Sequence, residues 1–197
     1  MGSTNGRRHV VIVGGGFAGL GCAVRLADQK DVSVTLIDRN NHHQFQPLLY
    51  QVATSQLAPS DIAHSLRGVF SGQEHVDVKL ADIAAVDIAA KTVRASDGEE
   101  WTGDALVLAA GSQPNFFGTP GANEHSFPLY SLDDATRLRS RILGIFEQVD
   151  RDPTLIDRGA LNFVIVGGGP TGVEVAGAIA DMVAVTVPNE YRSFDAS

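Results

Sequence analysis

Residues 10–20 read VVIVGGGFAGL, and the rest of the chain is best read outward from them. Val10 to Val13 is a short run of β-branched apolar residues, the composition of a parallel strand buried on both faces. Gly14-Gly15-Gly16 follows at once. From Phe17 to Ala27 the small or apolar residues Ala18, Cys22 and Leu26 recur at intervals of four, which places them on one face of a helix. Asp28 to Asp31 is polar enough for a turn, and Val32 to Ile37 returns as a second strand ending in Asp38. Strand, glycine turn, helix and strand make one right-handed βαβ unit.

Further along, Arg39 to Leu57 mixes aromatic, Pro and Gln residues without a clean period and reads as a loop running into a helix near Ala58-Pro59-Ser60-Asp61. Val76 to Leu80, Ile83 to Asp87 and Thr92 to Ala95 are short strands, and Asp97-Gly98 is a hairpin turn signal because the pair tolerates positive φ. Ala105 to Ala109 is another buried strand. Pro114 to Pro128, rich in Gly and Pro, reads as a crossing between lobes. Ser131 and Asp134 have the spacing of a capping box, and the stripe Leu132, Ala135, Leu138, Ile142, Ile145, Phe146 and Val149 continues it as a helix up to the break at Pro153.

Leu161 to Val166 has the composition of a second buried strand, and Gly167-Gly168-Gly169-Pro170-Thr171-Gly172 opens a second helix from Val173 to Ala184. The pattern is an internal repeat, with equivalent glycines 153 positions apart (167 minus 14). The second copy does not reach an acidic strand end: Val185-Thr186-Val187, with Glu190 after it, is a poor strand because no turn separates it from the helix.

Gly14, Gly16 and Gly19 match G-x-G-x-x-G. The first permits a sharp turn, the second lets backbone approach a pyrophosphate, and the third lets helix and strand pack closely. Helix-start amides at Phe17 and Ala18 and the positive end of the helix dipole attract a diphosphate without Lys or Arg. Asp38 lies 19 residues beyond Gly19, where a carboxylate accepts hydrogen bonds from a ribose diol. Arg39 beside it is the residue type that accommodates a 2′-phosphate, whereas Asp38 ahead of it favours the unphosphorylated ribose of FAD. Gly167, Gly169, Pro170, Thr171 and Gly172 repeat the arrangement. Two dinucleotide sites in one molecule suit hydride transfer between cofactors, with flavin and nicotinamide the natural pair.

Composition narrows the alternatives. Among 197 residues, 15 are basic and 23 acidic, a formal charge of −8, and the only adjacent basic pair is Arg7-Arg8, so a nucleic-acid partner is disfavoured. With 44% hydrophobic and 19% charged residues the chain has the make-up of a soluble globular protein. The single cysteine, Cys22, excludes a redox-active cysteine pair and a cysteine-rich metal site within these residues. His42 and His43 are adjacent and face opposite ways in a strand, so no metal site is expected. No run of about 18 uninterrupted apolar residues is present. Met1 to Arg8 reads as a short polar tail.

The chain resembles the N-terminal part of a type II NADH dehydrogenase, the single-subunit, non-pumping flavoprotein that reduces membrane quinone. The resemblance is carried by Val11 to Leu20, Phe45-Gln46-Pro47-Leu48-Leu49-Tyr50-Gln51-Val52-Ala53-Thr54, Ala109-Ala110-Gly111-Ser112, Pro120-Gly121 through Ser131 to Ala135, and Val164 to Gly177. It implies that the first unit binds FAD, that Gln46, Pro47 and Leu48 lie near the isoalloxazine, that Ala110 and Gly111 pass under the cofactor, and that the backbone of Ile83 reads the adenine. It also implies a place for Glu174 where nicotinamide meets flavin. The other reading of Glu174, a carboxylate in the first helical turn stabilised by the dipole, stays open.

The expectations are therefore an α/β, Rossmann-like FAD/NAD(P)-binding fold, a parallel sheet with helices plus a small antiparallel meander, with the second dinucleotide unit incomplete. Residues 1–118 would form the FAD domain and 119–197 the start of the NADH domain, the chain being read as a truncated piece. The resemblance implies the cofactors FAD and NADH, quinone as acceptor in the complete protein, and a cytoplasmic location at the membrane face reached only through C-terminal segments this chain lacks. A homodimer stays open. The competing readings are a nucleotide-binding fragment without turnover and an NADH-dependent reductase of a ferredoxin or rubredoxin. Apolar surface left uncovered predicts low stability or self-association.

Overall fold

A computed structural model describes residues 6–194, so Met1–Asn5 of the expected polar tail and the last three residues lie outside the described residues. The chain forms two compact units, Met1–Gln44 with Ala63–Ser112, and Phe45–Ile62 with Gln113–Ser197.

In chain order the elements begin β1 (Arg8–Val13), α1 (Phe17–Ala27), β2 (Val32–Asp38), β3 (His42–Gln44), α2 (Leu49–Ala53), α3 (Pro59–Ile62), β4 (Ala63–Ser65) and α4 (Leu66–Val69). The strands β5 (Val76–Leu80), β6 (Ile83–Asp87), β7 (Thr92–Ala95), β8 (Glu100–Thr102) and β9 (Ala105–Leu108) follow. The helices α5 (Ala122–His125), α6 (Leu132–Arg151), α7 (Pro170–Asp181) and α8 (Val187–Glu190) complete it.

In the first unit a four-stranded sheet runs β5-β2-β1-β9, every pairing parallel. Alternation along β1 explains the unbroken apolar run from Val10 to Val13. Val10 and Ile12 point to one face with Val34, Leu36, Val78, Ala23, Ala27, Leu66 and Phe70. Val11 and Val13 point to the other, with Ile37, Val93, Ala95 and Trp101. Helices cover the first face and the antiparallel meander β6-β7-β8 covers the second, so Val10 to Val13 are all buried. Each fully buried side chain of this size stabilises the unit by roughly 1.5–3 kcal/mol. Gly98, at φ +94°, makes the expected β7–β8 turn.

The second unit is helical where it is regular. Ser131 Oγ accepts from the Asp134 N–H at 3.1 Å, and Asp134 Oδ2 accepts from the Ser131 N–H at 3.0 Å, completing the expected capping box of α6. The buried stripe of α6 meets α2 through Ala135, Leu49, Val52 and Ala53, and meets α7 through Ile142, Phe146, Val175 and Ile179.

Several expectations are corrected. Leu161–Val166 forms no strand: Val164 is 87% and Val166 94% exposed. An apolar β-branched run becomes a strand only against a neighbour that completes its hydrogen bonds, and among the described residues none pairs with it. Residues 39–57 are not one loop: β3 pairs antiparallel with β4, and Gln46–Leu48 is a single 3-10 turn leading into α2. Val185–Val187 is helical, with wide π turns over Met182–Thr186 passing into α8. The stretch Pro170–Glu190 is long and apolar enough, by length and composition, to cross a membrane at mean hydropathy 1.3. Glu174 and Asp181 interrupt its apolar run, and one side of it is buried against α6.

Candidate dinucleotide-binding turns

The two glycine turns have the same backbone. Gly14 has φ +105° and Gly167 φ +108°, a region L side chains rarely adopt. A Cβ on Gly19 would fall on the Gly14 carbonyl oxygen, and one on Gly172 on the Gly167 carbonyl oxygen, so in both copies the third glycine is what lets the helix close on the turn. Gly14 is pressed further, since its Cβ would strike the Ala109 carbonyl, and this contact brings the 109–110 backbone to the turn.

Gly16 and Gly169 are under neither constraint. Their φ values, −72° and −75°, suit any residue, and a Cβ on either would meet nothing within 4 Å. Neither backbone strain nor internal packing calls for glycine there. A missing side chain that the fold does not need leaves room for something outside it, and each position caps a helix, α1 of 11 residues or α7 of 12. The first amides of a helix have no partner inside it, and the dipole makes that end positive. A diphosphate fits such a cradle.

Asp38 ends β2 beside the first turn. Its Oδ2 accepts from the Gly15 N–H at 2.5 Å and its Oδ1 from the Asn40 N–H at 2.7 Å. Each carboxylate oxygen has a further lone pair, so the group both ties down the turn and retains acceptor capacity for a hydroxyl. His43, which sequence reasoning treated only as an improbable metal ligand, is buried at 8% exposure. Its Nδ1 donates to the Gly15 carbonyl at 3.0 Å, and its ring meets that of Phe17 edge to face, centroids 5.1 Å apart. Adjacent His42 takes the other side of β3, against Asn41 Oδ1 at 3.2 Å.

The remaining candidates fall as follows. Phe17 and Ala18 are exposed on the first turn of α1, and Arg39 is exposed just past β2. Ile83 starts β6 opposite Ala95. Ala110 and Gly111 are exposed beyond β9, Gly111 at φ +71°. Gln46, Pro47 and Leu48 belong to the second unit, where Gln46 Nε2 donates to the Tyr130 carbonyl at 3.3 Å. Pro170 and Thr171 open α7, and Glu174 is its fifth residue, exposed and one position past the first turn; the dipole falls off within that turn, which weakens the purely electrostatic reading of this carboxylate.

Residues 8–192 match the pyridine nucleotide-disulphide oxidoreductase family. A type II NADH:quinone oxidoreductase, NdhA, of Mycobacterium tuberculosis is 41% identical over 199 residues, covering 99% of this chain and 42% of the relative. An external alternative NAD(P)H-ubiquinone oxidoreductase, B4, of Arabidopsis thaliana mitochondria is 30% identical, covering 94% of this chain and 34% of the relative. Among solved structures, NDH2 of Plasmodium falciparum in complex with NADH superposes with a TM-score of 0.79 at 25% identity, over 94% of this chain and 39% of that one. The chain thus spans about two fifths of the length of the proteins it matches.

Proposed function

The chain belongs to the pyridine nucleotide-disulphide oxidoreductase family, and we propose that it is the nucleotide-binding portion of an FAD-dependent NADH:quinone oxidoreductase. The observation that carries this reading is the pair Gly16 and Gly169, glycines the fold itself does not require, each at the mouth of a helix. One cradle takes FAD and the other NADH. The disulphide chemistry of the family name has no counterpart among these residues, whose only cysteine is Cys22, and this favours an acceptor other than a disulfide.

In this reading the amides around Gly16, Phe17 and Ala18 hold the FAD diphosphate, Asp38 accepts from the ribose, and Ile83, Ala110 and Gly111 line the same cofactor. Residues 1–118 would supply the flavin domain, with Gln46, Pro47 and Leu48 approaching the ring, and residues from 119 onward the NADH domain. Amides of Gly169, Thr171 and Gly172 hold the NADH diphosphate, Pro170 having no N–H to give, and Glu174 orients the nicotinamide. The flavin, when bound, supplies two-electron acceptance from NADH and delivery to quinone. The chain's own part is positional: it holds nicotinamide and ring within about 3–3.5 Å and in register. A quinone dissolved in lipid requires delivery at a membrane surface, which fits a protein bound at the cytoplasmic face.

The test uses Gly16→Leu and Gly169→Leu. Wild-type protein should carry flavin absorbance that NADH bleaches anaerobically. Gly16→Leu should lose the flavin while keeping its circular dichroism, because the added side chain has free space in the protein. Gly169→Leu should keep the flavin and resist bleaching. Full flavin content in Gly16→Leu would refute the reading.

A further inference from the structure

The first glycine turn is held by side chains as well as by its own backbone. A trans peptide is planar, with its C=O and N–H pointing opposite ways, so fixing one group of a peptide aims the other. Asp38 Oδ2 receives the Gly15 N–H and so fixes the plane between Gly14 and Gly15. His43 Nδ1 donates to the Gly15 carbonyl and fixes the next plane, between Gly15 and Gly16, whose N–H then points away from the histidine. Two successive peptides of the turn are thereby set by two side chains, one from the end of β2 and one from β3.

From this we propose that His43 is a positioning residue for the diphosphate cradle: by holding the Gly15 carbonyl it aims the Gly16 amide at the ligand. The proposal rests on the reading of this turn as the FAD site. A carbonyl oxygen only accepts, so Nδ1 carries the proton, and the bond needs no charge on the ring. Burial of His43 leaves little water to replace the bond. The edge-to-face contact with Phe17, the first residue of α1, sets the ring's direction. The second turn provides an internal contrast. Around Gly15 a Cβ would meet Leu66 and Asp38, whereas around the equivalent Gly168 it would meet nothing within 4 Å. Among the described residues the first copy is buttressed at this position and the second is not.

The binding mode is also legible from what His43 does not do. Its neighbour His42 lies on the opposite side of β3 and bonds to Asn41, and among the described residues no group of three His, Cys, Asp or Glu gathers as a metal site. The turn carbonyl is the partner the fold gives this ring.

The experiment compares wild type, His43→Phe and His43→Asn. Phenylalanine keeps an aromatic ring against Phe17 and loses the donor; asparagine keeps an N–H donor near the position of Nδ1 and loses the ring. Two quantities are read: the amide resonance of Gly16 in the cofactor-free chain, whose peptide carries the carbonyl that His43 holds, and the FAD dissociation constant. Losing one buried hydrogen bond is worth up to roughly tenfold in an equilibrium. His43→Phe should therefore move the Gly16 amide resonance and weaken FAD binding by about that factor, while His43→Asn should recover most of both. A Gly16 resonance unmoved in His43→Phe overturns the proposal, as does a His43→Asn variant no better than His43→Phe. Wild-type protein that takes up no FAD would sink the flavin reading instead, and the Gly16 resonance would still decide whether His43 holds the turn.

Discussion

Tyr191 shows how one side chain couples the end of the second unit to its helical core. Its ring packs on Phe146 and Phe194, and its hydroxyl donates to Glu147 Oε1 at 3.0 Å. Burial, and then the neighbouring Glu147 carboxylate, push the phenol up from its ordinary 10 to about 12. The folded chain holds this proton more tightly than the unfolded one. The resulting stabilisation is complete below about pH 10 and is lost as pH rises toward about 12. An absorbance titration of the phenol, paired with denaturant unfolding across that interval, should show late ionisation and a falling stability. Tyr191→Phe should remove that part of the slope; an unchanged slope would assign the alkaline loss to other groups. At the same scale the glycines divide by physical cause. Gly14 is required by φ and by contact, Gly19 by contact alone, and Gly16 by neither.

At the scale of elements, α6 owes its start to the reciprocal bonds of Ser131 and Asp134. Ser131→Ala should cost about 1 kcal/mol in denaturant unfolding of the second unit, with Asp134→Ala similar and the double variant less than additive, since each removes the same motif. A fully additive pair would mean the two bonds act separately. The cap, like β1, α1 and β2, was legible because its signal is local: residue types at fixed spacing. Leu161–Val166 carries the same apolar β-branched signal as Val10–Val13 yet forms no strand, because being a strand depends on a ladder partner and composition is silent about that. β3 and β4 have three residues each, too few for alternation to register. His43 escaped notice for a related reason, since its partner Gly15 lies 28 positions away and only the fold brings them together. The glycine turns and the place of Asp38 at the end of β2 could be read directly, while the bond from the Gly15 N–H to Asp38 could not.

For the whole molecule, exposed apolar side chains are the dominant liability. Val164 and Val166 stand almost fully in water, with Phe117 at 87% exposure and Val173 at 63%. A Val164→Ser, Val166→Ser double variant should leave unfolding stability within about 0.5 kcal/mol, as expected for surface positions, and should reduce concentration-dependent self-association in sedimentation. Undiminished association would move the contact elsewhere. A second property follows from the order in which the chain contributes to its units. Phe45–Ile62 lies between two stretches of the first unit but folds with residues from Gln113 onward. During synthesis Leu49, Val52 and Ala53 must therefore leave the ribosome well before α6 exists to cover them. From Ala53 to Ala135 is 82 positions (135 minus 53), roughly 4 to 16 seconds at 5–20 residues per second. A nascent chain of this protein thus carries an apolar helix awaiting its partner, the kind of segment that chaperones shield.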